Sequence, residues 1–174
     1  MSFTLHSATV PTFQQILGAV AGLIDKAEAH CRAQALPAEE LLQARLAPDM
    51  FTFAHQIKAT VAHSAGAIEA VRKGVYTPDL SPPLDTFAAL RQQIEGGIAV
   101  LAKVTPAELE ARLARDTRFE FKDTVMPFTS ADFLFSFALP NFFFHATTAY
   151  DILRWKGVQI GKRDFLGRLR LKQG

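Results

Sequence analysis

Apolar residues recur at spacings of three and four along most of this chain, which is the period of an amphipathic α-helix. The first pattern predicts a helix over residues 10–33, with Thr9 as its N-cap and Pro11 in its first turn. Gly74 is the predicted end of the second long helix, and Gly157 is the predicted end of the fourth. The second, third and fourth long helices are predicted over residues 50–73, 87–101 and 129–157.

Shorter elements are predicted in the connections between these helices. Pro37 begins a short helix that Pro48 ends, and Thr105 caps another. Around residues 118–128 the pattern changes to the alternation RFEF, which favours a small hairpin or an extended loop over a helix. The last helix is expected to kink near Pro140, where a backbone hydrogen bond is lost. Together these elements predict an all-α four-helix bundle with short extra helices and a small hairpin before the last helix.

Composition adds a single domain and little charge to this picture. A chain of 174 residues with 49% apolar residues predicts one domain, 1–174, in which residues 157–174 form a C-terminal tail. Nine of the fifteen phenylalanines lie in residues 119–144, and we interpret them as core residues rather than an aromatic ligand pocket. The net charge is only +2, and we interpret the basic tail as a solvated terminus rather than a nucleic-acid surface. Its basic residues are Lys162, Arg163, Arg168, Arg170 and Lys172.

The sequence favours a cytoplasmic location. Cys31 is the only cysteine, which excludes an internal disulfide and fits a reducing compartment. The N-terminal residues MSFTLHSATVPTFQQ lack the basic and apolar regions of a signal peptide. A membrane span needs about 18 to 20 apolar residues, and the nearest apolar run, 133–144, is interrupted by Pro140 and Asn141. We therefore expect neither a transmembrane helix nor a membrane partner.

Histidines are the main candidates for chemistry, because the chain has no Gly-rich phosphate loop, HExxH, CxxC or nucleophile elbow. His145 belongs to an apolar helical stripe, so its ring is expected to point into the bundle. His63 belongs to a small-residue face that permits close helix packing or leaves space for a ligand. His55 lies about 80° around the same helix and is expected to point elsewhere, and His6 and His30 are expected at the surface. For His63 and His145 a packing role is favoured over a shared metal or ligand site.

A transition-metal site generally needs three protein ligands, and the third is missing from the obvious place. A helix that supplies two histidines does so at positions i and i+4, but Ala149 lies four residues after His145. The remaining candidates are His55, Asp151 and Cys31. Asp151 lies on another face of its helix from His145, and Cys31 lies at the end of the first helix. Cys31 is disfavoured as a nucleophile because no base accompanies it at a defined spacing.

Two segments carry a family resemblance, LPNFFFHATTAYDILRWKGVQIGKRDFLG and APDMFTFAHQIKATVAHSAGAIEAV. They resemble a bacterial family of domains of unknown function that belongs to the DinB/YfiT-like superfamily of metalloenzymes. The likeness covers nearly the whole chain. It implies a four-helix bundle that is often a homodimer. In better-studied relatives a histidine triad binds nickel or zinc and serves thiol-dependent transferases and isomerases.

The resemblance also implies positions for the triad, one on the second long helix and two, four residues apart, on the fourth. His63 matches the first position and His145 matches the second, whereas Ala149 stands at the third. Trp155 stands where family members often carry another histidine. The metal that the resemblance implies, Zn or Ni, would therefore be held by His63 and His145 alone.

Two functional hypotheses follow. In the first, the protein is a degenerate member of the metalloenzyme superfamily that holds a small ligand, or weakly a divalent metal, between His63 and His145. Phe142 and Tyr150 are then expected to bind the ligand as well. In the second, the protein is a non-enzymatic homodimer in which both histidines are structural. The sequence specifies no substrate and no reaction.

Overall fold

The computed structural model describes residues 4–172, which are mostly helical and carry one small sheet. The helices are α1 (Leu5–Ala33), α2 (Glu39–Leu42), α3 (Phe53–Ala62), α4 (Ala65–Lys73), α5 (Phe87–Leu101), α6 (Pro106–Glu110), α7 (Ser130–Asp132), α8 (Leu139–Trp155) and α9 (Lys162–Leu166). A π-helical segment, Phe133–Ala138, joins α7 to α8. The strands are β1 (Val75–Tyr76), β2 (Asp116–Phe121) and β3 (Thr124–Thr129). The long helices share one apolar core, with α1 packed against α5 and α3 packed against α8.

Helix α1 begins five residues before its predicted start. Thr4 is the N-cap, because its hydroxyl accepts a hydrogen bond from the Ser7 backbone N–H at 3.1 Å. Thr9, the predicted cap, lies inside the helix, where its hydroxyl donates to the Leu5 carbonyl at 2.7 Å. Pro11, predicted in the first turn, also lies inside the helix and does not interrupt it.

Helix α1 meets the length and composition of a membrane-crossing helix, which the sequence interpretation did not anticipate. Its most apolar window has a mean hydropathy of 1.2, and half of that window is buried inside the protein. The buried residues form one face of the helix and belong to the core shared with α5 and α8. Packing in that core accounts for the apolar composition of α1, since a helix buried in a protein core can be as long and as apolar as one that crosses a membrane.

The second long helix is broken into α3 and α4. His63 and Ser64 interrupt it, and Ser64 has backbone angles φ −120° and ψ −88°, outside the helical region. The Ser64 hydroxyl donates back to the carbonyls of Thr60, at 2.8 Å, and Val61, at 3.2 Å. Such local bonds compete with the helical ladder and bend helices. Gly74 ends α4 with a left-handed φ of 76°, as the sequence predicts.

Near Pro140, where the sequence predicts a kink, the structure has a π-helical segment that precedes α8. Proline lacks a backbone N–H, and the widened turns before it absorb the disturbance of the hydrogen-bond ladder. The Asn141 side chain adds a hydrogen bond in this region, since its Nδ2 donates to the Phe137 carbonyl at 2.8 Å. Phe133 of the π-helical segment and Phe142 of α8 are both fully buried, so both parts of the chain pack into the core.

A three-stranded mixed sheet corrects the all-α prediction. The predicted hairpin is present as antiparallel β2 and β3, whose register pairs Asp116 with Thr129. Strand β1 was not predicted, and it pairs in parallel with β2 so that Tyr76 lies opposite Phe119. This pairing fixes the position of Tyr76 beside His63 at the end of α3.

The segment after α8 is packed against the protein as far as α9, rather than solvated throughout as the tail interpretation expected. Val158 is 1% exposed and Ile160 is 5% exposed, so both belong to the core. Helix α9 lies on α1, where Asp164 forms an ion pair with Lys26 at 2.7 Å. The basic residues of this segment therefore lie beside a packed element.

Candidate functional site

A pocket of about 370 Å³ opens between α3, α4, α5 and α8, and the loop after β1 covers part of it. Three small residues, Ala59, Ala62 and Gly66, leave the space on the α3–α4 side. The polar and titratable side chains that line it are His55, Lys58, His63, Tyr76, Asp79, Gln93 and His145. The volume lies near the lower end of the range for small-molecule sites, which is about 300 to 1,000 Å³.

His63 and His145 form the inner part of this pocket. Their ring centroids are 5.4 Å apart and their planes differ by 11°. Both residues are buried, with 9% and 8% of their surface exposed. The structure thus brings together the two histidines that the sequence analysis singled out.

His145 is held in one orientation by Gln56 of α3. The His145 Nδ1 atom lies 2.6 Å from Gln56 Oε1, and the Gln56 amide nitrogen donates to the Phe51 carbonyl at 3.2 Å. Because the amide nitrogen is engaged with Phe51, the oxygen faces the imidazole and must accept the Nδ1 proton. Nε2 of His145 then carries the lone pair, which leaves it able to accept a hydrogen bond.

His63 has a different environment, because it lies at the break between α3 and α4. Its ring is 5.4 Å from the ring of Tyr76 and 5.6 Å from that of Phe137, measured between centroids. Its Nδ1 atom is buried and has no hydrogen-bond partner among the residues that the structure describes. An unpartnered buried polar atom is unfavourable in a protein interior, so a ligand or a water molecule is expected to satisfy it.

Burial keeps the inner pocket uncharged. Desolvation, with a smaller effect of His145, lowers the pKa of His63 to about 3. Desolvation and the neighbouring His55 lower the pKa of His145 to about 4. The pKa of His55 is lowered by burial and then by Lys58, and burial raises the pKa of Tyr76 to about 12. At neutral pH all four side chains are therefore neutral.

Lys58 ties the loop after β1 to α3. Its buried ammonium donates to the Asp79 carbonyl at 3.0 Å, to the Ser81 hydroxyl at 2.9 Å and to the Ser81 carbonyl. It also forms an ion pair with the Asp79 carboxylate at 3.0 Å. The pKa of Asp79 is lowered to about 2, first by the Ser81 backbone N–H and hydroxyl and then by Lys58. These contacts hold the loop over the pocket, where Leu80 forms part of the wall.

Several pocket residues were not identified from the sequence. The prediction that His55 points elsewhere is wrong, because the small side chains between it and His63 let the pocket extend around α3. Gln56, Gln93 and Lys58 carried no sequence signal, since polar residues in helices are usually solvated. His6, expected at the surface, is half-buried, with Nε2 3.1 Å from the Val104 carbonyl.

Two predicted ligand-binding residues do not line the pocket. Phe142 is fully buried and packs edge-to-face on Phe13 of α1, with centroids 4.8 Å apart. It shares the stripe of His145, but that stripe is wide enough to face α1 as well as α3. Tyr150 packs on Phe165 of α9, because five helical residues place it about 140° around α8 from His145.

The donor atoms do not fit a complete metal site of the kind that the resemblance implies. Among residues 4–172 no group of three or more His, Cys, Asp or Glu side chains could hold a metal ion. Ala149 is buried and has no donor atom, and Asp151 is exposed on another face of α8. Cys31 is buried at the far end of α1, where burial raises the pKa of its thiol. Two imidazoles would bind zinc or nickel only weakly.

Residues 5–166 match a protein family described as "Domain of unknown function (DUF1993)". The chain belongs to this family. A search of the curated proteins finds no significant match to this DUF1993 protein. Among solved structures it is similar to a DinB family member protein from Shewanella denitrificans, with a TM-score of 0.82 and 29% sequence identity. That likeness covers 98% of this chain and 96% of the other.

The DUF1993 assignment and the structural likeness agree with the resemblance of the two segments around His63 and His145. The protein is a DUF1993 member with a DinB-like fold. The family description names no activity, so a function has to be inferred from the pocket.

Proposed function

We propose that this DUF1993 protein binds a small organic molecule in the pocket between His63 and His145. The observation that carries the proposal is the buried His63 Nδ1, which lacks a partner in the described part of the chain and belongs to a pocket-lining side chain. His145 supports the proposal, because its Nδ1 lies 2.6 Å from Gln56 Oε1. In binding sites, a hydrogen bond of this kind commonly fixes the orientation of the histidine that contacts the ligand. Fixed polar groups in an otherwise apolar pocket are typical of small-molecule sites.

A divalent metal is the weaker occupant of the same pocket. His63 and His145 supply two nitrogen ligands, and the described residues supply no third. Structural zinc sites are completed by four ligands and catalytic ones by three protein ligands and water. We therefore expect zinc or nickel to bind weakly if at all, and we derive no reaction step through a metal.

The test titrates zinc or nickel into the protein and follows binding by NMR of the His63 and His145 rings. Protein purified without a histidine tag should contain no stoichiometric metal, and zinc or nickel should saturate it only far above the protein concentration. His63→Ala and His145→Ala are the matched variants, with exposed Asp151→Ala as control. One tightly held ion per chain, lost in both histidine variants but not in the control, would show that the pocket binds a metal rather than an organic molecule.

A second candidate function is a non-enzymatic homodimer in which the histidines only fill the core. Phe144 and Trp155 favour it, because they are 57% and 63% exposed on α8. Eleven residues separate them, about three helical turns, so both lie on the same outer face. A second copy of the chain would cover these rings, and this assembly is compatible with ligand binding in the pocket.

A further inference from the structure

We propose that the ligand is a neutral, flat aromatic molecule that carries a hydrogen-bond donor, and that Gln93 of α5 accepts this hydrogen bond. The inference rests on the proposed function, since it names the class of molecule that the His63–His145 pocket takes. It follows from three features of the lining: its charge balance, the arrangement of its rings, and a second buried polar atom without a partner.

The lining carries no unbalanced charge. Among the described lining residues Lys58 is the one cation and Asp79 the one anion, and these two groups contact each other at 3.0 Å. Two further oxygens of Ser81 accept hydrogen bonds from the same ammonium, which leaves Lys58 no free donor for a ligand. The other titratable lining groups are His55, His63, Tyr76 and His145. Burial disfavours their charged forms, so an anionic or cationic ligand would lose its hydration without gaining a counter-charge.

Five rings of the wall follow one another with nearly parallel planes. The order is Tyr76, His63, His145, Phe51 and His55. The angles between successive planes are 23°, 11°, 22° and 6°. Aromatic rings pack favourably in offset-stacked or edge-to-face arrangements. Because these five residues line the pocket, a flat aromatic ligand can add an offset-stacked or edge-to-face contact to them.

Gln93 supplies the polar recognition. Its side chain lines the pocket from α5, and its Oε1 atom is buried with no hydrogen-bond donor among residues 4–172. An amide oxygen only accepts hydrogen bonds, so the missing partner is a donor. The last torsion of a glutamine side chain is soft, so the amide can rotate to present this oxygen to a ligand. A ligand with an amide or hydroxyl group would satisfy it.

Four probes of similar shape separate these features: benzamide, which is neutral and donates; acetophenone, which is neutral and cannot donate; benzoate; and benzamidinium. Binding is followed at neutral pH by NMR of the imidazole signals of His63 and His145. The variants are Gln93→Leu, which removes the acceptor, and Gln92→Leu, its exposed neighbour on α5. Thermal unfolding of both variants checks that they fold.

Benzamide should bind most tightly, and Gln93→Leu should weaken it about threefold to tenfold, the effect of one lost hydrogen bond. The affinity for acetophenone should be the same in Gln93→Leu as in wild type, and Gln92→Leu should change the affinity for none of the four probes. Tighter binding of benzoate or benzamidinium would overturn the neutral ligand while leaving the pocket as a binding site. Equal binding of benzamide to wild type and Gln93→Leu would overturn the role of Gln93. If no probe shifts either histidine signal, both this inference and the proposed function fail.

Discussion

At the scale of single residues, the inward position of His145 could be predicted and its partner could not. The apolar stripe around His145 indicates the direction of its ring, and the ring is indeed 8% exposed. Gln56 lies 89 positions away along the chain and binds His145 only because α3 packs against α8. Sequence periodicity reports which face of a helix is buried, but not which side chain of another helix it meets.

The lowered pKa values of His63 and His145 predict that acid destabilises the fold. In the unfolded chain each imidazole has its ordinary pKa of 6.5, whereas in the folded protein the values are about 3 and about 4. Between these values the unfolded chain binds more protons, so stability is complete above pH 6.5 and falls as the pH decreases. Preferential protonation of the unfolded chain at each imidazole should lower the unfolding free energy by about 2 kcal/mol between pH 6.5 and pH 5. Urea titrations at several pH values measure this loss.

The matched variant for this pH test is the double substitution His63→Gln and His145→Gln. It keeps polar side chains of similar size but removes both titrating groups, so its stability should depend less on pH over the same interval. The comparison cancels the contribution of the carboxylates that both proteins share. An unchanged pH dependence in the double variant would show that these imidazoles are not buried in neutral form.

Phe142 tests the packing of α8. Its side chain is fully buried against Phe13, so Phe142→Ala leaves a cavity and should cost about 3 to 5 kcal/mol of unfolding free energy. Lys172→Ala, an exposed control, should cost less than about 0.5 kcal/mol. Equal denaturant midpoints for the two variants would contradict the placement of Phe142 in the core.

At the scale of elements, the long helices could be predicted but their interruptions could not. The break at His63 and Ser64 contains neither proline nor glycine, and it depends on Ser64 donating back to Thr60. Serine inside a helix usually has no such effect, so the sequence alone favours a continuous helix. The break matters for the site, because it places His63 outside the regular rotation of α3 and against Tyr76.

The loop after β1 should depend on Lys58. Lys58→Met keeps the length of the side chain but removes the donors that bind Asp79 and Ser81. We expect faster backbone hydrogen exchange in residues 77–85, and a loss of about 1 to 3 kcal/mol of unfolding free energy, the usual effect of breaking a buried charged hydrogen bond. Lys73→Met, at the exposed end of α4, is the control. Exchange in residues 77–85 that does not change in Lys58→Met would mean that other contacts hold the loop.

At the scale of the whole molecule, the sheet was the part of the fold that local patterns described least well. The hairpin of β2 and β3 could be predicted because its alternation is contiguous. Strand β1 has only two residues, and it is a strand because β2, some forty positions later, offers a free edge to Val75 and Tyr76. Its pairing brings Tyr76 to His63, so this long-range contact completes the pocket between elements that were predicted separately.

The last prediction concerns assembly, for which we expect a homodimer formed through the outer face of α8. Light scattering at tens of micromolar should give about 38 kDa, twice the chain mass of 19.1 kDa. Phe144→Gln combined with Trp155→Gln should shift the mass towards a monomer, because these rings are exposed in the single chain and would be buried by a second copy. Leu171→Gln changes an even more exposed apolar residue elsewhere and should leave the mass unchanged. Wild-type protein of 19.1 kDa at this concentration would reject the dimer, and a dimer that survives the double substitution would place its interface on another surface.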